Sequence, residues 1–313
     1  MKNTSQPTLN DPESLSEQHH IQNQYFENQY FENQSFENQC FDSLDLELRA
    51  LKVYRKLNVI NSPVSALPFE SQINLILEWA TSKVSKFICV ANTHMLVEAY
   101  WHPEFAAVLK DADLVTPDGM PLVWMLRLLG ARTQNRVAGL DLLLSLCKLA
   151  PLRNVSIFFL GSEPKVLEKM RERLVREFPN LRIAGMEPLP FRPLTRAEDE
   201  ALIEKIHNSG AGIVLLALGC PKQEYWMQQH KDKIQAVMIG LGGAFPVYAG
   251  NHKRAPHWLR FGGGEWLYRL LQEPLRLSSR YGKTIPVFAG LALRQLLVCY
   301  LKKDGQNAPS TRI

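Results

Sequence analysis

The sequence predicts an α/β protein, a mostly parallel sheet covered by helices, followed by a C-terminal helical appendage. Three observations carry this expectation. Between Leu57 and Ile239, short apolar runs alternate with patterns whose apolar residues recur at helical spacing. Alternation over that length uses helices as crossovers, which leaves neighbouring strands parallel. Several apolar runs end in small polar or glycine-rich clusters, the composition of points where strands stop and helices begin. After Gly250 no strand pattern remains, and arginines mix with aromatic residues in NHKRAPHWLRFGGGEWLYRLLQEPLRLSSRYGK.

Taken in order, Leu57–Asn61 is a short strand candidate, and Phe69–Ser82 is helical with Ile73, Ile76, Leu77 and Ala80 on one stripe. The stretch from Lys86 to Gly130 then holds one arrangement twice. Phe87–Ala91 stops at Asn92-Thr93-His94, and Leu114–Thr116 stops at Pro117-Asp118-Gly119; an apolar helical pattern follows each. Leu140–Leu149 reads as an apolar helix. Val155–Leu160 is a buried strand closed by Gly161-Ser162-Glu163-Pro164, and Val166–Phe178 is helical. Leu181–Gly185 is a strand candidate, and the helix Arg196–Ser209 starts behind Thr195 as its N-cap. Ile213–Leu218 is the clearest strand. It ends in Gly219-Cys220-Pro221, and the helix PKQEYWMQQH is expected to start at Pro221 because proline suits a first helical turn. Ala236–Ile239 is the last strand, before Gly240-Leu241-Gly242-Gly243. Ile285–Leu301 is apolar but carries Arg294, which reads as too short and interrupted to span a bilayer. A helix lying in the membrane interface and a helix packed on protein both fit it.

At 313 residues, with 46% hydrophobic and 21% charged content, the chain can bury a substantial core. The expected division is a low-complexity tail over 1–43, a sheet domain over 44–250 and a basic, aromatic appendage over 251–313. The tail repeats FENQY, FENQS and FENQC, a period of five that fits neither helix nor strand, and its composition is that of disordered chain. Five scattered cysteines with no CxxC pair argue against a disulfide scaffold or zinc ribbon and suit a reducing cytosol. No basic-then-apolar signal pattern opens the chain. The net charge of +5 is modest and no recognised binding motif is present, so no nucleic-acid partner is expected.

If both polar turns of Lys86–Gly130 sit on one sheet edge, they face one cleft. There Asp118 could act as a general base or orient a substrate hydroxyl. Equally, Thr93 and Asp118 could simply cap the helices they precede. In LALGCPKQE, backbone N–H groups after the strand can meet a phosphate and Gln223 can hydrogen-bond a base or sugar. The bland alternative is an ordinary turn with Glu224 at the positive end of a helix dipole. Gly240-Leu241-Gly242-Gly243 and Gly161-Ser162 are similar and weaker. None completes the dinucleotide-binding glycine pattern and no phosphate-loop motif is present, which disfavours a nicotinamide-dependent oxidoreductase. Asp111-Ala112-Asp113 precedes its strand, on the wrong side of the sheet for a metal-bound diphosphate. No other cluster has metal-ligand spacing, so neither a metal nor a cofactor is expected. Lys253, Arg254, Arg260, Arg269, Arg276, Arg280 and Lys283 have only Glu265 and Glu273 as close acidic neighbours. Arginine forks suit a diphosphate or an anionic membrane, while a solvated basic helix is the alternative.

Together these motifs resemble the WecG/TagA/CpsF family of bacterial glycosyltransferases over about Leu57 to Tyr281. The matching pieces are ANTHMLVEAYWHPEF, ADLVTPDGMPLVW, LGCPKQEYW and GLGGAF, followed by AG, RAP, EWLYRL, EP and RY. The resemblance implies a Rossmann-like domain with a C-terminal helical, membrane-associating appendage. It implies inverting, metal-independent transfer of an N-acetylhexosamine, N-acetylmannosamine or its uronic acid, from a UDP-sugar to polyprenyl-diphosphate-linked GlcNAc. The enzyme would sit peripherally at the cytoplasmic face of the membrane. On this resemblance Thr93 and Asp118 fall at the reaction centre, with Asp118 the base. Asn92, Gly219, Pro221, Gln223, Glu224 and Gly242 fall at the donor pocket, and Arg254, Arg269, Arg276 and Arg280 meet the diphosphates. Pro246 stands where the family often has an aspartate, Gly262-Gly263-Gly264 replaces a bulkier approach to Glu265, and the repeat-bearing tail is not a family feature. The competing expectation is a non-catalytic scaffold docking on membranes through its basic segment; the oligomeric state stays open, a homo-oligomer included.

Overall fold

The computed structural model describes residues 55–190 and 192–306. The 1–43 tail with its repeats, and the expected core start near Leu44, lie outside the described residues. The first described elements are a hairpin, β1 (Lys56–Val59) and β2 (Ser62–Ser65), paired antiparallel. Ile60 and Asn61 turn between them with φ of 41° and 66°, the left-handed pair that a two-residue hairpin turn requires. The expected single strand Leu57–Asn61 is therefore half strand and half turn. Pro63 and the brevity of both strands conceal the second one.

The helix α1 (Phe69–Thr81) leads into β3 (Lys86–Ala91), α2 (Thr93–Trp101), α3 (Pro103–Asp111) and β4 (Leu114–Pro117). Pro103 splits α2 from α3, since its ring disfavours helical backbone at His102. Next come α4 (Met120–Leu128), α5 (Gly139–Leu149), β5 (Ile157–Gly161), α6 (Pro164–Glu177) and β6 (Ile183–Glu187). The domain closes with α7 (Arg196–Asn208), β7 (Ile213–Ala217), α8 (Lys222–His230), β8 (Val237–Gly240) and α9 (Ala244–Tyr248). Thr195 caps α7 as expected, in a reciprocal capping box with Glu198. Pro221, by contrast, is the N-cap of α8, and the helix begins at Lys222.

Six strands pair in the order β4-β3-β8-β7-β5-β6, all parallel. This is the expected helix-covered α/β sheet. Alternate strand residues serve the two faces. Phe87, Cys89, Phe158, Leu160, Val214 and Leu216 share one core with residues of α2, α3, α7 and α8. On the other face Phe159 meets Phe245 of α9 at 6.0 Å between ring centroids. Asp113 sits at the amino end of β4, where it pairs with Lys86 at 2.7 Å and accepts from the Phe87 N–H at 3.1 Å. It thus fastens β4 to β3 at the edge opposite the strands' carboxyl ends.

The appendage contains α10 (His257–Phe261), α11 (Glu265–Gln272) and the long α12 (Pro274–Gln306). Phe288 and Ala292 of α12 join the core beside Met95 and Leu96 of α2. Farther along, Gln295 clamps the hairpin. Its Oε1 accepts from the Ile60 N–H at 2.8 Å, and its Nε2 donates to the Asn58 carbonyl at 2.6 Å. The other face leaves Leu293, Leu297 and Leu301 exposed. The expectation of a short, interrupted apolar segment needs correction. Helix continues back to Pro274, and Pro274–Leu301 is long and apolar enough to cross a membrane by length and composition. Pro286 lies inside this helix and removes one backbone donor without ending it.

Leu215 lies on β7, flanked by β5 and β8, with no exposed surface. Leu215→Ala is expected to lower unfolding free energy by about 2–5 kcal/mol with an unchanged denaturant slope, measured by urea titration.

Candidate active site

In a parallel sheet all carboxyl ends share one edge, and β4, β3, β8 and β7 are neighbours there. The turns after these strands, together with the appendage, enclose a cavity of about 640 Å³. The backbone aligns the first two turns closely. The Asp118 N–H donates to the Ala91 carbonyl at 2.8 Å. A Cβ on Gly119 would already stand 3.7 Å from Asn92.

Capping does not account for Thr93 and Asp118. Asn92 is the cap of α2, its Oδ1 accepting from the Met95 N–H at 3.2 Å, and Thr93 is the first residue of the helix proper. The N-cap of α4 is Gly119, without a side-chain cap, and Asp118 precedes it. The Asp118 side chain instead meets Arg136. Arg136 Nη2 lies 3.3 Å from Asp118 Oδ1, and its Nε donates to the Asp118 carbonyl at 2.5 Å. The same Nη2 reaches Glu265 Oε2 at 2.7 Å, at the first turn of α11. Burial pushes the Asp118 carboxyl above its ordinary value; Arg136 opposes that rise and Glu265 adds to it. A carboxylate so placed is a stronger base than one in water, while Arg136 keeps its ionised form accessible.

Asn92, Thr93, Asp118, Gly219, Gln223, Gly242, Arg269, Arg276 and Arg280 all line the one cavity. Three residues expected there do not. Pro221 stands behind the turn as a cap, Glu224 is fully buried beneath it, and Arg254 pairs with Asp141 of α5. Arg269 faces Gly243, Arg276 pairs with Glu273, and Arg280 lies close enough to influence His94. His94 is neutral at physiological pH. Burial, reinforced by the Arg280 charge, pushes its imidazole down to about 4.

Sequence reasoning missed Arg136 and Glu265 as a pair and His94 as a wall of the cavity. Arg136 shares the loop before α5 with Arg132, is separated by well over a hundred residues from Glu265, and no local pattern marks it. Asp111 and Asp113 lie at the opposite sheet edge, as their position before β4 indicates. Among the described residues, no group of three His, Cys, Asp or Glu side chains is placed to hold a metal.

Residues 57–301 match the family described as glycosyl transferase WecG/TagA/CpsF. The chain belongs to that family. It is a glycosyltransferase, which sets aside the non-catalytic scaffold. Two curated relatives are named N-acetylglucosaminyldiphosphoundecaprenol N-acetyl-beta-D-mannosaminyltransferase. The one from Bacillus spizizenii is 38% identical over 191 residues, 61% of this chain and 72% of that protein. The one from Bacillus subtilis is 32% identical over 215 residues, 68% of this chain and 81% of that protein.

Burial raises the Glu224 carboxyl to about 7, with the Gln223 N–H opposing the rise. A carboxyl raised on folding favours the fold at low pH and loses that contribution as pH climbs through its folded value. Glu224→Gln should therefore gain stability relative to the parent between about pH 4.5 and 8, by up to about 3 kcal/mol, read from denaturation midpoints across that range.

Proposed function

We propose that this glycosyltransferase moves an N-acetylhexosamine, N-acetylmannosamine or its uronic acid, from a UDP-sugar to a polyprenyl-diphosphate-linked GlcNAc acceptor with inversion of configuration. The work takes place at the cytoplasmic face of the membrane. The observation that carries this reading is the mixed polar and apolar lining of this cavity. Its polar lining includes Asp118, Thr93, Gln223 and the four arginines Arg136, Arg269, Arg276 and Arg280; its apolar lining includes Trp124, Met125, Leu128, Ile285, Phe288 and Ala289. The polar groups suit a sugar nucleotide, and the apolar ones suit a substrate with a hydrocarbon tail. The names of the two relatives, which specify an undecaprenol-linked acceptor and N-acetylmannosamine, agree with that substrate pair.

In this mechanism Asp118 takes the proton from the acceptor hydroxyl as that oxygen attacks the anomeric carbon. Thr93 orients the reacting groups from the first turn of α2. The bond to the UDP oxygen breaks on the opposite face of the sugar, which inverts the configuration. Arg269, Arg276 and Arg280 stabilise the negative charge gathering on the departing diphosphate, and the unpaired N–H groups at the start of α2 add to that field. Arg254 pairs with Asp141 and is not among the residues lining the cavity. Asn92 and the Gly219 and Gly242 turns shape the donor pocket.

Asp118→Asn is expected to reduce UDP release in the presence of both substrates by about 10²–10⁴-fold, with an unchanged circular dichroism spectrum. Near-parental turnover would remove Asp118 from the chemistry. Arg136→Gln takes away the cation that favours ionised Asp118, so the acid limb of the pH–rate profile should move to higher pH. For the membrane placement, Leu293→Glu with Leu297→Glu should weaken co-flotation with anionic vesicles several-fold while leaving UDP affinity unchanged. Equal flotation of parent and variant would place the docking surface elsewhere.

A further inference from the structure

Gln223 and Glu224 open α8, and both side chains are buried, at 4% and 0% exposure. Gln223 Nε2 donates to Glu224 Oε1 at 2.8 Å. An amide can give a hydrogen only from its nitrogen, and an ionised carboxylate can only accept. Above about pH 7, where Glu224 is ionised, the contact therefore fixes which end of the Gln223 amide faces Glu224. The opposite end, Oε1, is buried with no hydrogen-bond partner. That oxygen lies 3.4 Å from where a Cβ on Gly242 would stand, and Gln223 and Gly242 both line the cavity. At Gly240 a Cβ would come within 2.8 Å of Gln223 Nε2, so glycine there lets the amide lie against the end of β8. A buried acceptor left without a donor costs free energy in the empty protein, which a ligand donor would recover.

We propose that Glu224 is a positioning residue for donor selection. By holding the Gln223 nitrogen, it presents the Gln223 carbonyl oxygen to the cavity as an acceptor, which selects a nucleotide with an N–H or O–H at that point. This rests on the UDP-sugar reading of the same site. Two groups of a uridine nucleotide carry such a hydrogen, the N3–H of uracil and a ribose hydroxyl. Cytosine offers an acceptor at N3, and acceptor against acceptor is repulsive. Glu224→Gln removes the fixed direction, because the new amide can donate to Gln223 Oε1 and let the Gln223 nitrogen face the cavity.

The test is calorimetric titration of the full chain with UDP, CDP, 2′-deoxy-UDP and 3′-deoxy-UDP. The parent should bind UDP about tenfold or more tightly than CDP if the base is read, or than one deoxy analogue if the ribose is read. In Glu224→Gln that ratio should fall to about threefold or less. Gln223→Met, which removes both polar atoms, should abolish it and serves if Glu224→Gln does not fold. A parent that binds UDP without discriminating, or a folded Glu224→Gln that keeps the parent ratio, overturns this inference alone. A parent that binds no UDP overturns the donor reading and this inference together.

Discussion

The Arg136 guanidinium joins the two halves of the site. It lies between Asp118 at the end of β4 and Glu265 at the start of α11, and one nitrogen contacts both carboxylates. Without this cation two carboxylates would share a poorly solvated space. Like charges at that proximity raise each other's proton affinity and push their carriers apart. The pairing does two things at once. It keeps Asp118 ionisable despite burial, and it couples the position of the appendage to the charge state of Asp118.

The sheet provides the platform for this arrangement. Apart from the edge strand β6 its strands are almost wholly buried, so their register is held by packing on both faces, and the turns inherit that rigidity. Four adjacent strand ends converge on one cavity, and the first turns of α2 and α8 stand at its wall. The appendage completes the enclosure by packing α12 on α2 and clamping the β1–β2 hairpin through Gln295. A helix fastened at both places presents Arg276 and Arg280 to the cavity and leaves Leu293, Leu297 and Leu301 exposed. That division suits the proposed acceptor, in which a diphosphate is joined to a hydrocarbon chain.

Much of the fold was legible because strand and helix periodicities are local. β3, β7 and β8 lie within a residue or so of the expected runs, and the Thr195 cap stands where its residue type places it. The β1–β2 hairpin was not legible. Two four-residue strands with a proline leave too little pattern, and β2 is held by partners such as the Val115 N–H on Ser65 Oγ, fifty residues away. The length of α12 was underestimated for a related reason. Its first turns are polar, and only their packing and continuity show that they belong to the apolar segment.

By itself the sequence determined the α/β class, the strand ends on which Asn92, Thr93 and Asp118 stand, and the basic character of the appendage. These follow from residue type and short-range spacing. Only the tertiary structure decided that Asn92 takes the capping role and leaves Thr93 and Asp118 uncommitted. It alone placed Arg136 between Asp118 and Glu265, took Arg254 out of the cavity and set Glu224 beneath Gln223. Those outcomes depend on which groups meet across long separations and how much water they keep, and neither quantity is written in the local pattern of residues.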